Sequence, residues 1–194
     1  MKLKLGFKQT KRGYFNLLVA IAFMASLSSS IGIMLHKAYA SADTCTWTGA
    51  VNGNWNLAGN WTGCDNGNLP ENGDSLTFPA GGVSNLSMTN NVSGLTSIVD
   101  ITFFGSGYTL GGNDLTVGQF LIHGSNNTIN LNSAFNTNVT SLILSGGTNN
   151  IVNGNITLSG TGTFDTTGDP NSQLLINGVI SGITSNVSMG AMVH

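Results

Sequence analysis

From Gly81 onward the chain repeats one pattern: a short stretch in which apolar and hydroxyl side chains alternate, followed by a turn of Gly, Asn and Ser. The stretches at 97–104, 108–110, 115–117, 120–122, 128–131, 139–144, 156–158 and 173–180 are candidate strands, preceded by 75–78 between Pro70 and Pro79. Their Ile, Leu, Val, Thr and Phe suit a pleated, half-buried surface, and a two-residue alternation places every second side chain on one face. No window repeats apolar residues at helical spacing over a helical length, so helix is expected only near the N-terminus.

A longer register underlies the strands. Gly124-Ser125-Asn126-Asn127-Thr128-Ile129 recurs as Gly147-Thr148-Asn149-Asn150-Ile151-Val152, an offset of 23 residues. Gly112-Asn113-Asp114-Leu115 and Gly154-Asn155-Ile156-Thr157 are weaker echoes of the same turn. An imperfect period in the low twenties, with three short strands per turn, predicts the stacked coils of a parallel β-helix, each burying its inward residues against the coils above and below. Asparagines at equivalent turns would then stack as an amide ladder. An antiparallel sandwich of hairpins is the alternative that so irregular a repeat leaves open.

The stretch 45–78 differs from the repeats after it: it holds Trp47, Trp55 and Trp61, every tryptophan in the chain, and both cysteines. Asn-Gly steps at 52–53, 66–67 and 72–73 mark tight turns, because both residues tolerate positive φ. The organisation expected is a leader at 1–42, a Trp/Cys head or cap at 43–80 and β-solenoid coils at 81–194.

The leader has a basic segment at 1–14, an apolar segment at 15–35 and small-x-small sites at Ala38-Tyr39-Ala40 and Ala40-Ser41-Ala42. It reads as a helical signal peptide, with an uncleaved membrane anchor as the alternative; both place the rest of the chain at the cell surface or outside the cell. In an oxidising compartment Cys45 and Cys64 are expected to pair, closing a loop worth on the order of 3 kcal/mol. All six Lys and Arg lie at or before Lys37 and all eight Asp and Glu lie after it, so the segment beyond the leader carries a formal charge of −8. With no cation to neutralise phosphate, nucleic-acid binding and a basic membrane patch are excluded, as are a lysine Schiff base and an arginine clamp. Membrane contact is expected only through an uncleaved leader.

Candidate chemistry is sparse. Gly73-Asp74-Ser75-Leu76 spells an esterase-like string, but no apolar strand leads into it and no Asp-x-x-His supplies a base, so it reads as coincidence. The three tryptophans serve either as stacking platforms for a glycan or as a buried cap, the commoner fate of large aromatics in small strand layers. Asp165 and Asp169 form a weak Ca²⁺ candidate, with a polar turn as the plainer reading. His123 is a lone imidazole at a strand end. Seven Asn-x-Ser/Thr sequons begin at Asn60, Asn85, Asn91, Asn126, Asn138, Asn155 and Asn186; composition accounts for most of them. No cofactor is expected.

Thr46-Trp47-Thr48-Gly49, Gly53-Asn54-Trp55, Gly59-Asn60-Trp61, Pro70 and 73–78 together resemble the opening of bacterial passenger proteins with autotransporter-associated β-strand repeats. Ile101-Thr102-Phe103-Phe104-Gly105, Tyr108-Thr109-Leu110, Asp114-Leu115-Thr116-Val117-Gly118 and 175–182 are similar to their coils. The resemblance covers nearly everything beyond the leader and implies a right-handed parallel β-helix, exported as an adhesin or stalk without catalysis. Cell-surface glycans or matrix are the partners it implies. Such proteins usually continue through more coils to an anchor, so a chain stopping at His194 reads as truncated, with a solenoid edge prone to self-association. The rivals are a glycan-binding module using the head tryptophans and a pectin-lyase-like enzyme; the latter needs clustered carboxylates that the sequence lacks.

Overall fold

A computed structural model describes residues 42–65, 67–135, 142–144, 146–158, 163–165, 172–182 and 188–189. The leader and its expected helix lie outside the described residues, apart from Ala42, which has no regular structure. In chain order the strands are β1 (Thr44–Trp47), β2 (Trp61–Thr62), β3 (Ser75–Phe78), β4 (Ser87–Asn90), β5 (Ser97–Phe103), β6 (Thr109–Gly112), β7 (Leu115–Ile122) and β8 (Thr128–Ile129). They continue as β9 (Ser133–Phe135), β10 (Leu142–Leu144), β11 (Asn150–Val152), β12 (Ile156–Leu158), β13 (Thr163–Asp165), β14 (Leu174–Ile176), β15 (Ile180–Ser181) and β16 (Ser188–Met189).

These strands wind into a three-sided β-solenoid, a parallel β-helix. On the first face the start of β5 pairs with the start of β7, and β9, β12 and β15 follow. On the second, β1, β3, the remainder of β5 and of β7, β10, β13 and β16 stack in that order. The third is a separate sheet of β4, β6, β8, β11 and β14. Every one of these pairs is parallel, and among the described residues only β1 with β2 is antiparallel, so the sandwich alternative is ruled out. Thr116 lies beside Ala134, Ile101 beside Phe120, Met88 beside Leu110, Ile151 beside Thr128, Ile156 beside Ile180 and Leu76 beside Ile101, so beyond the head a coil takes from 18 to 25 residues. That variation is why the repeat is faint in the sequence.

The two-residue alternation sends one side chain of each pair inward, as in β3 and β4. Cys45, Leu76, Ile101 and Phe120 form one inward column, and Phe78, Phe103 and Ile122 another, all buried. The rings of Phe78 and Phe103 stack with centroids 4.8 Å apart. Each such side chain contributes roughly 1.5–3 kcal/mol on burial, and no coil could collect that energy without its neighbours.

The corner between the second and third faces is where the sequence repeat lies. Gly107, Asn126 and Asn149 occupy the same left-handed position, with φ of 79°, 58° and 57°. Before them, a Cβ on Gly124 would sit 1.9 Å from the carbonyl oxygen of Gly105, and one on Gly147 2.2 Å from that of Gly124. Glycine is required because successive corners touch backbone to backbone.

The structure corrects several strand assignments. Segments 115–117 and 120–122 are one strand, β7; 173–180 is split between β14 and β15; and β1, β2, β4, β9, β11, β13 and β16 lie outside the candidate stretches. The head contains a single 3-10 turn, Ala58–Asn60, so helical geometry is not confined to the leader.

Candidate functional site

Two groups of polar and aromatic residues stand out: the head that closes the solenoid, and the amide ladders along its corners. In the head, β1 lies parallel beside β3, and β2 folds back antiparallel on β1, ending the stack of the second face. Residues 53–55 do the same for the third face. The Trp55 N–H donates to the Thr89 carbonyl at 3.0 Å, and the Thr89 N–H donates to the Gly53 carbonyl at 2.8 Å. At this end the head thus covers the second face with the two-residue β2 and the third with a single bridge at Asn54, leaving only short edges for unwanted strand addition.

The hub of the head is Asn60, fully buried. Its Oδ1 accepts the Val51 and Asn52 N–H groups at 2.8 and 3.1 Å, and its Nδ2 donates to the Asn54 carbonyl and the Asn52 side chain. The sequence marked this residue as the start of a sequon and as part of the Gly59-Asn60-Trp61 motif; its use as a buried organiser of the loop has no local signature. Cys45 and Cys64 form the expected disulfide, both buried.

Trp47, Trp55 and Trp61 are 0%, 0% and 1% exposed. They pack edge to face on one another and on Phe78, with Trp55 stacked on Phe78 at 5.9 Å. Trp47 Nε1 donates to the Asn85 carbonyl at 2.8 Å and Trp61 Nε1 to the Trp55 carbonyl at 2.9 Å. Trp55 Nε1 is buried without a hydrogen-bond partner. No indole face is open to a sugar ring in this arrangement, and the geometry is that of a cap over the first coil.

The esterase-like string also has structural partners. Asp74 is buried and accepts the Asp43 N–H at 3.0 Å and the Glu71 N–H at 2.8 Å, tying the incoming chain to the turn before β3. Ser75 Oγ bonds the Asp100 carboxylate at 3.0 Å across neighbouring coils. His123 lies elsewhere, its ring parallel to that of Phe104 with centroids 5.0 Å apart. Asp165 ends strand β13 rather than opening a loop, and Asp169 lies outside the described residues. Among the described residues no three His, Cys, Asp or Glu side chains are grouped to hold a metal ion. No described helix is long and apolar enough to cross a membrane.

The corner asparagines form the amide ladder that the repeat predicts. Asn127 and Asn150 are buried; the Asn127 N–H donates to Asn150 Oδ1 at 3.0 Å, and the Tyr108 N–H to Asn127 Oδ1 at 3.0 Å. Their Nδ2 groups donate to the Gly105 and Gly124 carbonyls, at 3.1 and 3.0 Å. Tyr108 ends the ladder toward the head, its hydroxyl donating to the Pro79 carbonyl at 2.7 Å, and burial pushes its pKa up to about 12. A second, exposed ladder runs through Asn130, Asn153 and Asn177, with Nδ2 to Oδ1 distances of 2.8 Å. The sequence held a clue to it, Asn153-Gly154 and Asn177-Gly178 spaced 24 residues apart.

Of the sequons, Asn60 is buried, Asn85 donates its amide to the Gly49 carbonyl, and Asn126 and Asn155 are exposed; Asn138 and Asn186 lie outside the described residues. Compared with known protein families, curated proteins and solved structures, the chain matches none.

Proposed function

We propose that this chain is an exported, non-catalytic β-solenoid with a structural or adhesive role at the cell surface. The observation that carries the reading is the disulfide-locked cap: Cys45 and Cys64 are joined directly downstream of a leader with export features, over a solenoid end whose second and third faces are covered by β2 and residues 53–55. A disulfide of this kind forms and persists in oxidising compartments. The polar groups that a catalytic reading would claim are engaged in holding coils together: Asp74 on backbone amides, Ser75 on Asp100, the corner asparagines on one another.

Fusing residues 1–42 to alkaline phosphatase, which is active only after export, tests the location; an inactive fusion retained in the cytoplasm would overturn it. Incubating the purified protein with polysaccharides tests the rest, and release of reducing or unsaturated sugars would replace the adhesive reading with an enzymatic one.

A further inference from the structure

We propose that the third face of the solenoid is a binding strip for an uncharged, extended glycan chain. The inference rests on the surface-adhesive reading and gives it a location, away from the buried tryptophans. The strip is made of two outward columns. Thr128, Ile151 and Leu175 are register partners on β8, β11 and β14, and Asn130, Asn153 and Asn177 lie two residues further along the same rungs.

The amide column is preorganised. Asn153 Nδ2 donates to Asn130 Oδ1 and its own Oδ1 accepts from Asn177 Nδ2, which locks the carboxamide orientations while all three side chains stay exposed. A carboxamide has two N–H donors and two lone pairs on oxygen, and the ladder uses at most one of each. Each rung therefore offers one aligned donor and one aligned acceptor, repeated about every 4.8 Å along the axis. Rotamers already fixed by the ladder need not be frozen again when a ligand binds.

The neighbouring column turns apolar along the axis, from Thr128 to Ile151 to Leu175, the last 54% exposed. It stands about 6.6 Å from the amides, two residues along each strand. Aliphatic surface beside aligned amides matches a sugar ring, which has a C–H face and hydroxyl edges. Charge decides between neutral and acidic polymers. The strands of this face, β4, β6, β8, β11 and β14, carry no Asp or Glu, although eight acids lie beyond the leader, and no Lys or Arg occurs there to bind an anionic chain. A neutral glycan meets neither repulsion nor an unpaired buried charge on this strip.

The test is native affinity electrophoresis of the full exported protein in gels containing soluble glucan, mannan, xylan or glycol chitin, with polygalacturonate as the acidic comparison. Retardation by at least one neutral polymer is expected. It should weaken about tenfold or more in Asn153→Asp and in the milder Leu175→Ser, because each removes a matched contact or leaves a polar group unpaired. Thr116→Asp, on the first face, should bind as the parent does. Circular dichroism shows whether the variants keep the fold, and Leu175→Ser stays informative if the charged variant does not. No retardation by any neutral polymer, retardation by polygalacturonate alone, or equal binding by all variants would overturn the proposal. The phosphatase fusion stays active in each of those outcomes if the export reading holds, so the two failures are separable.

Discussion

Asn127→Ala removes one rung of the buried ladder. The Asn127 Oδ1 accepts the Tyr108 N–H at 3.0 Å and its Nδ2 donates to the Gly105 carbonyl at 3.1 Å, in a side chain 1% exposed. Truncation keeps the Asn127 N–H bond to Asn150 but strips two buried backbone groups of their partners. At about 1–3 kcal/mol for each unpaired group, the loss is about 2–6 kcal/mol, a large share of a stability of about 5–15 kcal/mol. For a domain of this size that lowers the melting temperature by roughly 5–20 °C. Thermal unfolding followed by circular dichroism, with the disulfide intact, measures it against Asn153→Ala. There water replaces the exposed partners, and a change within about 0.5 kcal/mol is expected. Equal effects of the two substitutions would refute the idea that burial gives the ladder its energetic weight. Asn127→Asp sharpens the test. A buried carboxyl without a cation has its folded pKa raised above the unfolded value of about 3.9, so this variant is least impaired below about pH 4, where the protonated acid still donates to Gly105. Its stability should fall as pH rises through the folded pKa.

Three further outcomes are expected from the same structure. Reducing the Cys45–Cys64 bond, or replacing both cysteines by serine, should cost about 3 kcal/mol, the value for closing a loop of this length; an unchanged urea midpoint would count against the head as a stabilising cap. Gly124→Ala should abolish folding, because its Cβ would sit 1.9 Å from a backbone oxygen, whereas Gly81→Ala, with nothing within 4 Å, should be neutral; expression yield and melting temperature distinguish them. Burial raises the Tyr108 pKa to about 12, so this residue stabilises the fold fully below about pH 10, the unfolded value, and that contribution is lost as pH rises toward 12; ultraviolet difference titration checks the late ionisation and denaturation at pH 9 and 11 its cost.

Much of this architecture is legible in the chain. The 23-residue echo between 124–129 and 147–152 is the true register, since Asn127 bonds Asn150 and Thr128 pairs with Ile151. Where coils shorten to 18 or 19 residues the echo fades, and β9 and β11 are missed because each lies against asparagines, Asn132 before β9 and Asn149-Asn150 at the start of β11, that read as part of a turn. Asp165 looks like part of a loop because its neighbours are polar; it is in a strand because β10 and β16 lie beside it.

The amino-acid sequence alone determined local properties: two-residue alternation, left-handed corners at Asn and Gly, a head distinct in composition, and a chain beyond Lys37 without cations. These depend on residues close together or on simple totals. Tertiary structure alone decided which residues of each kind are buried. Asn60, Asn127 and Asn150 are sealed in and hold backbone groups, while Asn130, Asn153 and Asn177 have the same chemistry and face solvent. It likewise turned three tryptophans inward and assigned Asp74 to backbone amides. The physical reason is that hydrogen-bond worth and aromatic exposure depend on what the fold places alongside, the loop at 51–54 for Asn60 and the adjacent coils, 19 to 26 residues away, for Asn127 and Asn150, and no local pattern encodes those neighbours.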